Sequence, residues 1–141
     1  MGLLSRRKGR AFEQKIARIL RATWPDRVVH RSSQADRAYA SDVVVNEVPI
    51  WWECQDAAKP TPRDKLVQAE RDSKGTFYKP MVVWHRSGER GLNVTMRVST
   101  FLRLLVDEWD SSLNVEPDNL YLDAVTMDFK EVLDLLKEIY P

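Results

Sequence analysis

Four polar side chains close to two short apolar runs are the residues of this chain best suited to do chemistry: Asp42, Glu53 and Gln55, with Glu13 further upstream. Alternate residues of a strand share one face, so Glu53 and Gln55 lie on the same side of the run at 49–55. An acidic group and an amide on an apolar strand are costly unless something pairs with them. Asp42 begins the preceding run and lies beside Glu53 if the two runs form a hairpin. Two carboxylates and a backbone carbonyl would then make an oxygen-lined site suited to Mg²⁺ or Mn²⁺.

Glu13 adds a third carboxylate from the first predicted helix. There it shares a face with Ala17, Leu20 and Trp24, along the edge of the apolar stripe, so we expect it to face the sheet. Each carboxylate alone also has an ordinary structural interpretation. Glu13 then has an ion-pair partner one helical turn away, and Asp42 is a turn residue at a strand start. The combination of all three carboxylates in this order favours a metal site.

The composition bounds the class of protein. The chain has 141 residues, 43% of them apolar and 30% charged, which is typical of one globular domain with a real core. The sequence contains no run of 18 apolar residues, so no membrane span is predicted. The basic N-terminus lacks the apolar stretch of a secretory signal. The single cysteine, Cys54, excludes an internal disulfide and a cysteine-based zinc site. We therefore expect a cytoplasmic protein with no membrane partner.

The near-zero net charge conceals a strong asymmetry along the chain. Residues 1–105 hold 20 Lys and Arg against 11 Asp and Glu, whereas residues 106–141 hold 2 against 10. A basic body of this kind favours a polyanionic partner such as nucleic acid, followed by an acidic appendix. A solvated helix face is the ordinary alternative interpretation.

The apolar periodicity predicts the elements that would position these residues. We expect a helix at 5–23, strands at 27–31, 42–45 and 49–55, a helix at about 61–75, strands at 81–84 and 94–98, and a helix from Ser99 or Thr100 to Trp109. This order is αβββαββα, a mixed α/β sheet flanked by helices. A polar connection at 110–127, with a short strand at 120–122, leads to an acidic C-terminal helix that starts at Asp128. We divide the chain into a domain at 1–109 and a connection with its amphipathic acidic helix at 110–141.

Several short motifs in this order resemble a known enzyme group. They are Lys8-Gly9-x-x-x-Glu13 on the first helix, Arg31-Ser32-Ser33 after the first strand, Ser41-Asp42-Val-Val-Val45, and Trp52-Glu53-Cys54-Gln55. Together they resemble the PD-(D/E)XK nuclease superfamily and, within it, the archaeal-type Holliday junction resolvase family with its viral relatives. The likeness covers about residues 5–105. It implies a restriction-endonuclease-like fold, and a location in the host cytoplasm if the protein is viral.

The resemblance also implies an activity, which is metal-dependent hydrolysis of phosphodiester bonds in four-way DNA junctions by a homodimer. Asp42 and Glu53 would bind Mg²⁺, for which Mn²⁺ would substitute, and Glu13 would complete the site. Ser33, or Ser32, would lie near the scissile phosphate. The resemblance requires no small-molecule cofactor. Contacts to the DNA backbone would come from basic residues, namely Arg6, Arg7, Lys8, Arg10, Arg31 and Lys59.

One departure from the family pattern keeps alternatives open. Gln55 stands where lysine is usual, and a neutral amide orients water without supplying positive charge. Lys59 is a candidate to supply that charge by reaching back. The alternatives are another PD-(D/E)XK-type nuclease in restriction or repair, a DNA-binding module that does not cleave, and an RNA-binding protein whose acidic helix makes protein contacts.

The C-terminal helix carries an apolar stripe of Phe129, Val132, Leu136 and Ile139 that must be buried somewhere. Docking on the twin subunit and docking on its own subunit both satisfy this need. We favour docking on the twin subunit, because it would enlarge the dimer interface.

Overall fold

The computed structural model of the chain describes residues 2–32, 41–106 and 123–141. Within them the elements follow one another as α1 (Leu3–Thr23), β1 (Val29–Arg31), β2 (Val43–Val45), β3 (Ile50–Ala57), α2 (Pro62–Ser73), β4 (Lys79–Arg86), β5 (Asn93–Arg97), α3 (Val98–Leu105), β6 (Ala124–Asp128) and α4 (Phe129–Ile139). The predicted mixed α/β class is confirmed, and the first eight elements have the predicted order.

The strands form one six-stranded sheet in the spatial order β1-β2-β3-β4-β5-β6. The pair β3–β4 is parallel and is connected through α2, whereas all other neighbouring strands are antiparallel. The predicted hairpin between β2 and β3 is present, and its turn places Glu47 at a φ of 64°. This hairpin brings the Asp42 end of β2 to the middle of β3.

The connection before the last helix differs from the prediction. Residues 124–128 form β6, which pairs with β5 from Arg97↔Ala124 to Asn93↔Asp128. The strand predicted at 120–122 lies outside the described residues. The sequence pattern of β6 is short and polar at alternate positions, so the pairing with β5, and not local propensity, decides its conformation.

Different helices pack on the two faces of the sheet. The main core lies on the face of Ile50, Trp52, Met81 and Val94, and the helices α1, α3 and α4 contribute to it. The other face carries Trp51, Glu53 and Val82, and α2 packs there through Leu66 and Ala69. An ion pair between Arg97 of β5 and Glu70 of α2, with N–O distances of 2.7 and 3.0 Å, fixes α2 on that face. The alternation along β3 therefore directs Glu53 and Gln55 towards α2, and Cys54 and Asp56 towards α1.

The long first helix is amphipathic, and its apolar side covers β1, β2 and β3. Phe12, Ile16 and Leu20 are buried, which agrees with the predicted stripe. The helix ends before Pro25, as predicted. No helix in the described ranges combines the length and the apolar character needed to cross a membrane.

The C-terminal helix packs on its own subunit, so the preference for docking on the twin is wrong. Phe129, Val132 and Leu136 are at most 3% exposed within the main core of the same chain. The indole Nε1 of Trp24 donates to the Tyr140 carbonyl at 2.6 Å, which joins the ends of α1 and α4. The predicted start is confirmed, because the Asp128 side chain accepts the Lys130 N–H as an N-cap. The apolar stripe is buried in the core of its own subunit because burial there carries no cost in association entropy, unlike docking on a second subunit.

Candidate active site

The candidate site is at the point where β2 and β3 separate. The described pairing of the two strands is Val43↔Trp52, next to which the Asp42 N–H donates to the Trp52 carbonyl at 3.0 Å. Beyond that pair, the side chain of Asp42, and not a backbone group of β2, bonds to the backbone of β3. Its Oδ2 accepts the Cys54 N–H at 2.9 Å. The hairpin therefore places the Asp42 carboxylate beside Glu53, as predicted from the sequence.

Glu53 is a buried carboxyl group, with 7% of the residue exposed. The pKa of Glu53 is raised to about 8, mainly by burial and then by the charge of the Asp42 carboxylate and a hydrogen bond with it. A 2.9 Å hydrogen bond from the Trp51 indole to Glu53 Oε1 and the positive charge of Lys65 act in the opposite direction. Glu53 and Asp42 therefore form a pair of carboxyl groups that holds a proton near neutral pH.

Glu13 reaches this region from the other face of the sheet. It is buried, as predicted, with 6% of the residue exposed. Its Oε2 accepts two hydrogen bonds from Arg31, from Nε at 3.2 Å and from Nη2 at 3.0 Å. The charges of Glu13, Asp42 and Glu53 together raise the pKa of the Cys54 thiol after the larger effect of burial, so all three lie around Cys54.

The three carboxylates nevertheless do not form a closed set of metal ligands. Residues 2–32, 41–106 and 123–141 contain no group of three His, Cys, Asp or Glu side chains arranged to hold an ion. The reason is geometric: consecutive residues of β3 face opposite ways, so Glu53 lies on the α2 side and Glu13 on the α1 side. Asp42 and Glu53 are brought together, and the metal role of Glu13 stays a prediction.

Gln55 follows Glu53 on the same face, and its amide contacts the start of α2. Its Oε1 accepts the Thr61 N–H at 2.9 Å, and its Nε2 donates to Thr61 Oγ1 at 3.0 Å. Thr61 is the N-cap of α2 and makes no cap of its own through its side chain. Gln55 therefore satisfies one of the free N–H groups at this helix end, a role that the sequence did not reveal.

The positive charge beside Glu53 comes from Lys65, on the first turns of α2. Lys65 is half-buried, whereas Lys59 is exposed and makes no hydrogen bond or ion pair in the described part of the chain. We did not single out Lys65 from the sequence. A signal existed, since Lys65 lies one helical turn before the buried Ala69 and therefore near the sheet-facing side of α2.

The predicted nucleic-acid contacts divide into two groups. Arg6, Arg7 and Arg10 are exposed on α1. Lys8 contacts the protein instead, with Nζ 2.8 Å from Ser87 Oγ and 3.8 Å from Asp56 Oδ1, and Arg31 contacts Glu13. Ser33 lies outside the described residues. The preceding Ser32 donates its hydroxyl to the Ser41 carbonyl.

A second polar cluster lies at the ends of β3 and β4, on the α1 side. His85 Nδ1 is 2.9 Å from Asp56 Oδ1, and His85 Nε2 is 2.7 Å from the Glu89 carbonyl oxygen. Both partners are acceptors, so both contacts are hydrogen bonds at once only when both ring nitrogens carry a proton. The two hydrogen bonds raise the pKa of His85, against smaller opposing effects of burial and the Lys15 charge. This arrangement is structural, because neither nitrogen is left to act as a base.

Comparison of the chain with protein-family models, with curated proteins and with solved structures gives no significant match. The functional argument therefore depends on the residues and geometry described above.

Proposed function

We propose that the protein is a Mg²⁺-dependent endonuclease of the PD-(D/E)XK type that cleaves four-way DNA junctions as a homodimer. The observation that carries the proposal is the pair of buried Glu53 and half-buried Asp42, at the point where the strands separate and where the Lys65 charge acts on Glu53. Carboxyl groups are rarely buried side by side without a function, because the arrangement costs folding free energy. The path of the chain, with α1 before β1 and α2 between the parallel strands β3 and β4, supports a restriction-endonuclease-like core.

The residues present fit a magnesium ion. Mg²⁺ prefers hard oxygen ligands and is commonly held by one or two carboxylates together with retained waters. Asp42 and Glu53 would hold it, since a divalent cation would take the place of the proton that this pair holds. When bound, the ion supplies Lewis-acid stabilisation of a phosphate and a water of lowered pKa.

The surrounding side chains have separable tasks in this proposal. The Trp51 indole fixes one Glu53 oxygen and leaves the other for a ligand. The Lys65 charge acts on Glu53, so its ammonium group would stabilise negative charge on a reacting phosphate. Gln55 acts indirectly, because it fixes the end of α2 on which Lys65 lies. Lys65 thereby takes over the charge that lysine at position 55 would supply.

The homodimer is part of the proposal for a geometric reason. A four-way junction has approximate twofold symmetry, so two sites related by a twofold axis would cut opposed strands. With α4 packed in its own subunit, the dimer interface must use other surfaces. Phe77 is one candidate, since it is 79% exposed after the end of α2.

A second candidate function is a DNA-binding module with the same fold and no turnover. Two observations favour it: Gln55 is used as a helix cap, and Glu13 is paired with Arg31. Both residues then serve the fold, and the basic surface alone would bind DNA.

A cleavage assay with end-labelled substrates tests these candidates. The substrates are a four-way junction and its separate duplex arms, each with Mg²⁺, Mn²⁺ or EDTA. The proposal predicts paired, symmetric cuts in the junction with either metal and none in EDTA. Equal cleavage of the arms would support another DNA nuclease of this fold. Junction binding without any cleavage in Mg²⁺ or Mn²⁺ would support the non-cleaving module.

A further inference from the structure

The outward face of α1 differs in charge from the other long helices. α1 carries seven Lys and Arg residues against one acidic residue, Glu13, which is buried. By contrast, α2 carries three basic and three acidic residues, and α4 carries two basic and three acidic residues. Among these three helices, only α1 therefore has an excess of positive charge.

Four arginines of α1 form a single row along its exposed side. At 100° per residue, Arg7, Arg10, Arg18 and Arg21 lie within about 80° of one another around the helix axis. All four are exposed, and the row is about 21 Å long at 1.5 Å per residue. We call these four residues the arginine row. Lys15 and Arg6 flank it on either side.

The arginine row has no acidic partner in the part of the chain that the structure describes. Arg7, Arg10 and Arg18 make no hydrogen bond or ion pair there, and Arg21 donates to the carbonyl oxygen of Val29. Like charges at such spacings destabilise a helix by a few tenths of a kcal/mol per pair. The row therefore costs stability, and within the described structure only Arg21 makes a compensating contact.

We propose that the arginine row tracks the phosphodiester backbone of a nucleic-acid duplex. One strand of a duplex carries a charge every ~3.4 Å along the axis, so a row of about 21 Å spans roughly six phosphates. Arginine also suits phosphate through its planar, multiple donors. An anionic membrane is a poorer fit, because the apolar side of α1, with Phe12, Ile16 and Leu20, is already buried in the core.

The row extends the predicted arm into the middle and the C-terminal end of the helix. It excludes two residues that the sequence placed on DNA, Lys8 and Arg31, since both contact other parts of the protein. The row begins near Lys8, which contacts Asp56 three positions beyond Glu53 on β3. A duplex along α1 would therefore lie on the α1 side of the sheet, whereas Glu53 faces α2. The choice of DNA as substrate rests on the proposed function, whereas backbone binding does not require cleavage.

The test is the salt dependence of binding, measured by fluorescence anisotropy in EDTA with duplex DNA, duplex RNA and the four-way junction. The row variant combines Arg7→Gln, Arg10→Gln and Arg18→Gln. Its matched control combines Arg71→Gln, Lys74→Gln and Arg103→Gln, which removes the same charge from exposed positions of α2, the residue after it and α3. We expect the slope of log K against log salt to become shallower by about 2 to 3 in the row variant. We expect the control to keep the wild-type slope.

A wild-type slope in the row variant, or an equal change in the control, would overturn the proposal. A row-dependent loss of binding to anionic vesicles, with duplex binding unchanged, would also overturn it. Tighter binding of either duplex identifies which backbone the row takes, and both satisfy the proposal. Thermal unfolding separates function from folding, because the row variant should be at least as stable as wild type. Failure of the nuclease proposal would appear as absent cleavage and would leave this binding result unaffected.

Discussion

Glu53 is kept away from water beside another carboxylate, and this position makes its ionisation unfavourable in the absence of a cation. A shift from the ordinary value of 4.5 to about 8 means that the folded state holds a proton that the unfolded state releases. The stability of the metal-free protein should therefore fall as pH rises from 4.5 to 8 and then level off.

The variant Glu53→Gln tests this directly, because its amide resembles the protonated acid. In EDTA, its free energy of unfolding, measured by chemical denaturation, should equal that of wild type near pH 4.5. Above pH 8 it should exceed that of wild type by up to a few kcal/mol. The control Glu138→Gln, at an exposed position of α4, should follow wild type. Parallel pH curves for wild type and Glu53→Gln would contradict the burial of this charge.

Lys65 and Lys59 provide a second comparison at the scale of single residues. If Lys65 stabilises the reacting phosphate, Lys65→Gln should lower junction cleavage by about 10²-fold, whereas Lys59→Gln should leave it unchanged. Because the Lys65 charge lowers the pKa of Glu53, Lys65→Gln should also displace the pH–rate profile to higher pH. If Lys59→Gln lost activity and Lys65→Gln did not, then Lys59 and not Lys65 would stabilise the reacting phosphate.

The sequence predicted the Asp42–Glu53 pair because a short hairpin and the two-residue period of a strand determine which side chains meet. It did not predict Lys65, since the rotation of α2 about its axis depends on packing against Trp51 and Val82. Nor did it predict the Arg31–Glu13 pair, because its members come from different elements and either one has many other possible partners.

At the scale of elements, one amide of β3 joins this strand to the start of α2. Gln55→Ala removes the acceptor of the Thr61 N–H and should cost about 1 kcal/mol of unfolding free energy. Gln55→Glu retains an acceptor and adds a favourable negative charge at the N-terminus of α2, so it should be as stable as wild type. Denaturant unfolding in EDTA measures both variants. An equal loss of unfolding free energy in Gln55→Ala and Gln55→Glu would exclude the capping role of Gln55.

The junction of β3, β4 and the following turn depends on the charged ring of His85. Since its pKa is raised, the stabilisation is fully present below the ordinary value of 6.5 and is lost as pH rises through the raised pKa. The difference in stability between wild type and His85→Gln should therefore be largest at low pH and shrink at high pH. Asp56→Asn should lower the pKa of His85, as followed by NMR with His30→Gln to assign the signals. An unchanged His85 pKa in Asp56→Asn would contradict the role of Asp56.

Most element types and their order were predictable, because amphipathic period, Pro25 and the cap at Asp128 act locally. The strand β6 was not predicted, although Val125 and Thr126 are strand formers, because the run is only five residues long, directly precedes the Asp128 cap and depends on β5 for its hydrogen bonds. The assembly of Thr95, Thr126 and Trp84 into one hydrogen-bonded group likewise arises from sheet order.

At the scale of the whole molecule, the proposed catalytic site and the proposed DNA-binding surface lie in different parts of the chain. The carboxyl pair lies between the sheet and α2, whereas the arginine row lies on the outside of α1. Substitutions should therefore separate cleavage from binding. This separation is the property that distinguishes a nuclease from a DNA-binding module with an unrelated buried acid.

The most direct measurement is single-turnover cleavage of a four-way junction in Mg²⁺ by Asp42→Asn, compared with Asp64→Asn. Both changes replace one aspartate by its amide, and Asp64 is exposed in the first turn of α2, outside the carboxyl pair. We predict that Asp42→Asn abolishes cleavage while junction binding in EDTA stays at the wild-type level or becomes tighter, and that Asp64→Asn cleaves normally. Cleavage by Asp42→Asn at more than a few per cent of the wild-type rate would contradict the assignment of this carboxyl pair as the catalytic metal site.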